Sequence, residues 1–306
     1  MSYKIIVDSC GELFDDMKAD GRFQSVPLEL EVDGYHVVDD ESFDQLEFIR
    51  RVKESRSEER RVGKEDDESF DQLEFIRRVK ESRHSPKSSC PSPQRYVEAY
   101  LGEAEHVYVV TLSGKLSGSY NSAELAKKLY LEEHMAKQIH VFDSCSASIG
   151  ETLIAEKIQE SEEAGKSFEE VVAETEKYIK DQQTFFVLET LETLRKNGRL
   201  SNLKAWVAGA LNIKPVMGAT PEGTICQLGQ ARGMAKALDY MVNEIVKRTK
   251  ECEKKILSIA HCNCPERAKQ VKEKLEKLAK FKDIRIVDTA GVSTMYANNG
   301  GVIVAV

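Results

Sequence analysis

Residues 106–129 read HVYVVTLSGKLSGSYNSAELAKKL, and the fold is decided by how this stretch is read. His106–Ser113 is a continuous apolar run, the pattern of a strand buried on both faces. It passes through a polar Gly/Ser turn into a helix. The same grammar recurs on either side. Upstream, KIIVD (Lys4–Asp8) ends in an Asp-Ser turn; downstream, IHVFDS (Ile139–Ser144) leads to a helix over Ala147–Ser161. Strands alternating with helices predict a parallel sheet covered on both faces.

Between the first two of these strands, FQSVPLELEVDG (Phe23–Gly34) reads as one strand entered through Val26-Pro27. HSPKSSCPSP (His84–Pro93) reads as a Ser/Pro-rich loop before a helix from Gln94. After Gly165 the pattern changes. SFEEVVAETEKYIKD is helical, FFVLET is a strand, and LETLRKNGRLSN is a helix ending at Asn197-Gly198. Strands flank the Pro-Glu-Gly turn of LNIKPVMGATPEGTICQLGQARG, and a long helix starts at Met234. ILSIAH (Ile256–His261), a helix over Pro265–Phe281, IRIVDT and GVIVAV complete the chain. The expected fold is α/β in two domains: an N-terminal parallel-sheet domain over residues 1–165 and a C-terminal α/β domain over 166–306.

One segment does not fit this plan. Asp39–Arg56 reads DDESFDQLEFIRRVKESR, and Asp66–Arg83 repeats it letter for letter with a period of 27 residues. Each copy reads as a capped amphipathic helix, starting at Ser42 and again at Ser69. Natural repeats diverge wherever packing does not constrain them, and they occur in longer arrays. The spacer RSEERRVGKE (Arg56–Glu65) looks like the translation of a sequencing-library adapter. Residues 57–83 are therefore read as an artefactual duplication without function.

Composition narrows the class. A net charge of −8 and a pI near 5.5 argue against a nucleic-acid partner. Seven cysteines without a framework spacing, and an N-terminus (MSYKIIVDS) that runs straight into a strand, fit free thiols in the cytoplasm. No apolar stretch approaches the roughly 18 residues that span a bilayer.

Open α/β sheets do their chemistry in loops at the carboxyl ends of their strands. Asp8-Ser9, Ser113–Ser122, Asp143-Ser144 and the Ser-rich loop at 88–92 are all expected there. Together they predict a small hydroxyl-lined site with backbone N–H groups, suited to a carboxylate or phosphate. Taken singly, each serine reads as a helix cap. Ser117 in GKLSG is not the third residue of a G-x-S-x-G elbow, and no His-Asp pair accompanies it. His261, Cys262 and Cys264 lack the second ligand pair of a structural zinc site. Dinucleotide and Walker loops are absent, so no cofactor is expected. Arg199, just past a helix end, reads either as a site cation or as a surface ion pair.

The segments KIIVDSCGEL, VPLELEVDG, SSCPSP, TLSGKLSGSYNSA, VFDS, TLRKNGRLSN and LNIKPV, in this order, resemble the DegV family of fatty-acid-binding proteins. The resemblance covers nearly the whole chain outside the duplicated segment. It implies a DegV/EDD-like parallel-sheet domain, a second α/β domain, and one long-chain fatty acid held between them. It also implies a binder rather than an enzyme, with the bound acid as its only small molecule. That acid would reach the protein by transient exchange at a membrane surface, and a separate fatty-acid kinase would convert it to an acyl phosphate for phospholipid synthesis. By position, Ser88 and Ser117 would hold the carboxyl group, with Ser89, Gly118 and Ser119 beside them. Arg199 matches the arginine of the family's G-G-R-I-S segment, and Arg232 a basic position that docks the kinase. The chain departs from the family in two places. Cys90 replaces a glutamine, and MYANNGG (Met295–Gly301) stands where many relatives carry a carboxyl-contacting histidine. Tyr296, Asn298 or Asn299 would then supply the third contact, or it is absent. A second reading is an enzyme subunit of related fold acting on a small hydroxylated or phosphorylated ketone, and a third is a protein-interaction module.

Overall fold

The computed structural model describes residues 2–32, 35–40, 86–134, 137–200 and 212–306. Both predicted helices of the repeat lie outside the described residues. Among those described, the chain begins with β1 (Tyr3–Asp8), a one-turn helix α1 (Asp15–Ala19) and β2 (Phe23–Val26). Three short strands, β3 (Glu29–Val32), β4 (Tyr35–Val38) and β5 (Lys87–Ser89), precede α2 (Pro93–Tyr100). Then follow β6 (His106–Thr111), α3 (Ser119–Glu133), β7 (Gln138–Asp143), α4 (Ile149–Glu163) and α5 (Phe168–Asp181).

The first sheet has the order β2-β1-β6-β7, and every pairing is parallel. Its strands are apolar on both faces because both are covered. Ile6, Val107, Val109 and Val141 pack under α2 and α3 against Tyr96, Tyr100, Ala123 and Tyr130. Ile5, Val7, Tyr108, Val110 and Phe142 pack on the other side against α4 and α5. Two buried tyrosines find partners for their hydroxyls: Tyr100 donates to Ala123 O at 2.8 Å, and Tyr96 lies 2.6 Å from Ser119 Oγ.

The second half builds a mixed sheet. Its elements are β8 (Thr184–Val187), α6 (Glu192–Lys196), the hairpin β9 (Ile213–Ala219) and β10 (Ile225–Arg232), and α7 (Met234–Arg248). They continue with β11 (Ile256–His261), α8 (Pro265–Leu278), β12 (Asp283–Asp288), α9 (Gly291–Ala297) and β13 (Val302–Ala305). The strand order is β10-β9-β8-β13-β11-β12, antiparallel throughout except for β11 with β12. Its outer face packs on α7 and α8 through Phe185, Val187, Leu257, Ile259, Met241 and Leu275. Ala260 and Ala305 turn inward to the cluster that contains α4. Helix α4 is thus wedged between the two sheets, which explains its unbroken buried run from Ile149 to Ala155.

Two expectations change, and one helix was not expected. Phe23–Gly34 is not one strand. Val26 ends β2 in the first sheet, and Glu29 starts β3 in a separate three-stranded sheet of order β4-β3-β5. Pro27 causes the break, because it has no N–H to continue a ladder. Lys87–Ser89 is not loop but a short strand, its Ser88 opposite Leu30. Finally, Gly291–Ala297 is helical. No residue within its own segment starts that helix. Asp39 caps it, accepting from Gly291 N at 3.2 Å and Val292 N at 3.0 Å. The approach is so close that a Cβ on Gly291 would lie 2.5 Å from Asp39 Oδ1, so only glycine fits.

Candidate functional site

The carboxyl ends of β1, β6 and β7 face the second sheet, and a cavity of about 350 Å³ lies between them. That is within the range of about 300–1,000 Å³ typical of small-molecule sites. One corner is polar. Ser88 Oγ lies 3.0 Å from Tyr296 OH, which joins β5 to α9. Ser117 precedes α3, and its Oγ accepts from Ser119 N at 3.1 Å. Ser89, Cys90 and Gly118 line the same corner. A Cβ on Gly118 would lie 3.0 Å from Cys90 Sγ, so this turn and the Cys90 loop are in close contact. Arg199 lines it too, donating from Nε to Leu116 O at 3.2 Å and from Nη1 to Asn197 O at 2.5 Å. It makes no ion pair with a described residue.

The rest of the wall is apolar. Along β8 and just past it, Phe186 and Leu188 point into the cavity while Phe185 and Val187 point into the outer core. Leu112, Leu194, Ile225, Val292 and Ile303 complete that surface.

The expected loop residues divide into those that line the cavity and those that hold the liners in place. Asp8 is fully buried; it accepts from Cys10 N at 3.1 Å, Leu112 N at 2.9 Å and Ser119 Oγ. Burial pushes its carboxyl up, and these hydrogen bonds oppose that shift. Ser119 therefore faces the core, not the cavity. Asp143 Oδ1 accepts from Gly114 N at 3.1 Å and Cys145 N at 3.0 Å. Ser9 is held by Asp39, and Ser144 donates to Ser146 O. Asp8 and Asp143 thus fasten the loop that carries Ser117, Ser9 and Ser144 hold other loop atoms, and none of the four lines the cavity. Ser113 Oγ reaches across to Gly223 O at 2.8 Å, tying that loop to the β9–β10 turn. Gly223 has φ +81°, and a Cβ there would meet Ser113 Oγ at 2.3 Å.

Tyr296 reaches the polar corner. Asn298 does not: its Nδ2 donates to Tyr296 O at 3.1 Å and sits 3.5 Å from Thr193 Oγ1. Asn299 is exposed and accepts from Asn263 Nδ2 at 3.1 Å. Arg232, at the end of β10, is exposed and lies off the cavity. Sequence reasoning missed Cys10, Cys145, Ser146, Ser148, Thr184 and Ser293, all of which line the wall. Alternation along Thr184-Phe185-Phe186-Val187-Leu188 could have found Thr184.

Among the described residues, no group of three or more His, Cys, Asp or Glu side chains is placed to hold a metal ion. The histidines that pair with acids do so away from Ser117: His106 with Glu162, His140 with Glu176 and His261 with Asp288. No helix among the described residues is long and apolar enough to cross a membrane.

Comparison with known proteins agrees on the family. A family model described as "Uncharacterised protein, DegV family" matches residues 63–306. A DegV domain-containing protein of Streptococcus pyogenes serotype M1 is 36% identical over 305 residues, covering 99% of this chain and 98% of the relative. Among solved structures, a DegV family protein from Ruminococcus gnavus described with vaccenic acid superposes with a TM-score of 0.88 at 52% identity, covering 100% of both chains. The Streptococcus pneumoniae Fatty Acid Kinase (Fak) B3 protein loaded with linoleic acid gives a TM-score of 0.82 at 34% identity, covering 100% of this chain and 99% of that one. This chain belongs to the DegV family.

Proposed function

We propose that this protein binds one long-chain fatty acid, with its carboxyl group at Ser88, Ser117 and Tyr296 and its acyl chain along the Phe186–Leu188 wall. The observation that carries this reading is the asymmetry of the cavity, three hydroxyls at one corner and an aliphatic wall beyond it. Burial of each methylene contributes about 0.8 kcal/mol, so a palmitate-sized chain gains on the order of 10 kcal/mol before ordering costs. The head group is the opposite case. A carboxyl group taken out of water must be hydrogen-bonded or take up a proton. Hydroxyls serve either form, since they donate to a carboxylate and accept from a carboxylic acid. They do so without a tight countercharge, which leaves the carboxyl group transferable. The fatty acids in the R. gnavus and S. pneumoniae structures support the same assignment.

On this reading the protein performs no chemistry. It presents the carboxyl group to a partner fatty-acid kinase in the cytoplasm, the acyl phosphate feeding phospholipid synthesis. The description of the S. pneumoniae protein as part of a fatty acid kinase supports the partner class. Exposed Arg232, off the cavity, is free to meet that partner, and Arg199 stands at the corner where the carboxyl group would be presented.

Ser117→Ala tests the head-group assignment. A buried oxygen that loses its partner costs about 1–3 kcal/mol, so affinity for octadecanoic acid in a calorimetric titration should fall roughly 5- to 150-fold, with a small drop in melting temperature from the lost Ser119 N–H bond at the start of α3. Unaltered affinity would remove Ser117 from the site.

A further inference from the structure

The far end of the cavity is not apolar. Thr184 begins β8, and the face that carries Phe186 and Leu188 into the cavity carries Thr184 as well. Leu188 clusters with Leu116 and Tyr296, beside the hydroxyl corner. Four residues of extended chain place Thr184 ~13 Å further along. There its Oγ1 lies 2.6 Å from Oγ of Ser146, which also lines the cavity, and both residues are buried. Small residues surround the pair, with Ala147, Gly218, Ala219 and Gly223 forming the wall, so there is room for a ligand atom beside it.

Two hydroxyls carry two protons, and the hydrogen bond between them uses one. Neither oxygen has another hydrogen-bond partner among the described residues, so the second proton has no acceptor there. A hydrocarbon chain lying against the pair leaves that proton unsatisfied in a site from which the chain has displaced water. An alcohol oxygen on the chain accepts it, and the alcohol's own proton returns to a free lone pair of Ser146 or Thr184. Sites built to hydrogen-bond a hydroxyl discriminate against the analogue that lacks it.

We propose that Ser146 and Thr184 form a second polar subsite, and that the preferred ligand is a long-chain fatty acid hydroxylated in its distal half. The proposal rests on the fatty-acid reading above and names the substrate class for that same cavity.

The test is a calorimetric titration of the delipidated full-length protein with octadecanoic acid, 12-hydroxyoctadecanoic acid and 2-hydroxyoctadecanoic acid. The distal hydroxy acid should bind roughly tenfold more tightly than the plain acid, the worth of one satisfied buried donor. The 2-hydroxy acid, whose oxygen stays beside the carboxyl group, should show no such gain. In a Ser146→Ala/Thr184→Val double variant the preference should vanish while octadecanoic acid still binds. Thr184→Ser, which keeps the hydroxyl, should retain the preference and serves as the check if the double variant fails to fold. Plain and distal hydroxy acids binding equally to the wild type, or a preference that survives loss of both hydroxyls, would overturn the proposal and leave the fatty-acid reading standing. Binding of none of the three acids would overturn both.

Discussion

The two sheets contribute to the cavity in different ways. The parallel sheet supplies loops, and most of their polar side chains hold other loop atoms: Asp8 secures Leu112 and Ser119, Asp143 secures Gly114 and Cys145, and Ser113 secures Gly223. Ser117 both accepts from Ser119 N and lines the cavity. The mixed sheet supplies a flat row of alternate side chains, Thr184, Phe186 and Leu188, whose one hydrogen bond across the cavity joins Thr184 to Ser146. One wall is therefore specified by hydrogen bonds and the other by pattern. Damage to the first should show as lost selectivity for the head group, and damage to the second as lost affinity for the chain.

The sharpest way to break that contrast is Phe186→Asp. An unpaired carboxylate on the aliphatic wall is costly, and in the proposed binding mode it would face the acyl chain that supplies most of the binding energy. Affinity for octadecanoic acid should fall more than about 100-fold, or ~3 kcal/mol, well beyond the low end expected for Ser117→Ala. Near-normal binding in the same titration would show that the chain lies elsewhere.

A second, smaller effect concerns pH. Two carboxyl groups, Glu12 buried and Asp39 half-buried, meet at the start of α9, which carries Tyr296 to the corner. Asp39 caps the helix, and Glu12 accepts from Ala290 N at 3.4 Å and Ser148 Oγ at 2.7 Å. Burial pushes Glu12 up to about 7 and Asp39 up to about 6. A carboxyl group raised on folding favours the folded state when protonated. Its contribution is complete below the unfolded value near 4.5 and is lost as pH rises through about 7. For Glu12 the shift corresponds to about 3 kcal/mol. Urea denaturation should show stability falling between pH 5 and pH 8, and Glu12→Gln should flatten that fall by about this amount. An identical pH dependence in the variant would mean that Glu12 does not carry it.

The smallest expected effect is a deletion. Removing residues 57–83 should leave melting temperature and acid affinity unchanged, because loop-closure cost varies slowly with length, at about 0.6 kcal/mol per doubling. A loss of binding would show that the second copy of the repeat belongs to the site.

The same contrast explains what could be read in advance. The parallel sheet was legible because a strand buried on both faces, followed by a Gly/Ser turn and a helix, has few other solutions; Ser88 and Ser117 come from the family resemblance, and both line the cavity. The capping of α9 was not legible, since Asp39 and Gly291 are 252 residues apart and neither segment signals the other. The pairing of Lys87–Ser89 with β3 is also long-range, and a three-residue polar strand has no periodicity to detect. Asn298 and Ser119 sat in the right segments but turn to Thr193 and Asp8, because rotamer and backbone geometry, not position in a motif, decide where a side chain points. Thr184 was overlooked for a simpler reason. FFVLET reads as the strand, and the residue before it begins the face that lines the cavity.

The central claim is that this cavity holds a soap-like molecule, head at the hydroxyls and tail against the aliphatic wall. Mass spectrometry of an organic extract from the purified protein tests it directly. A long-chain fatty acid in about one-to-one ratio with protein is the expected result. A polar metabolite, a covalent adduct on a side chain or protein free of lipid would contradict it.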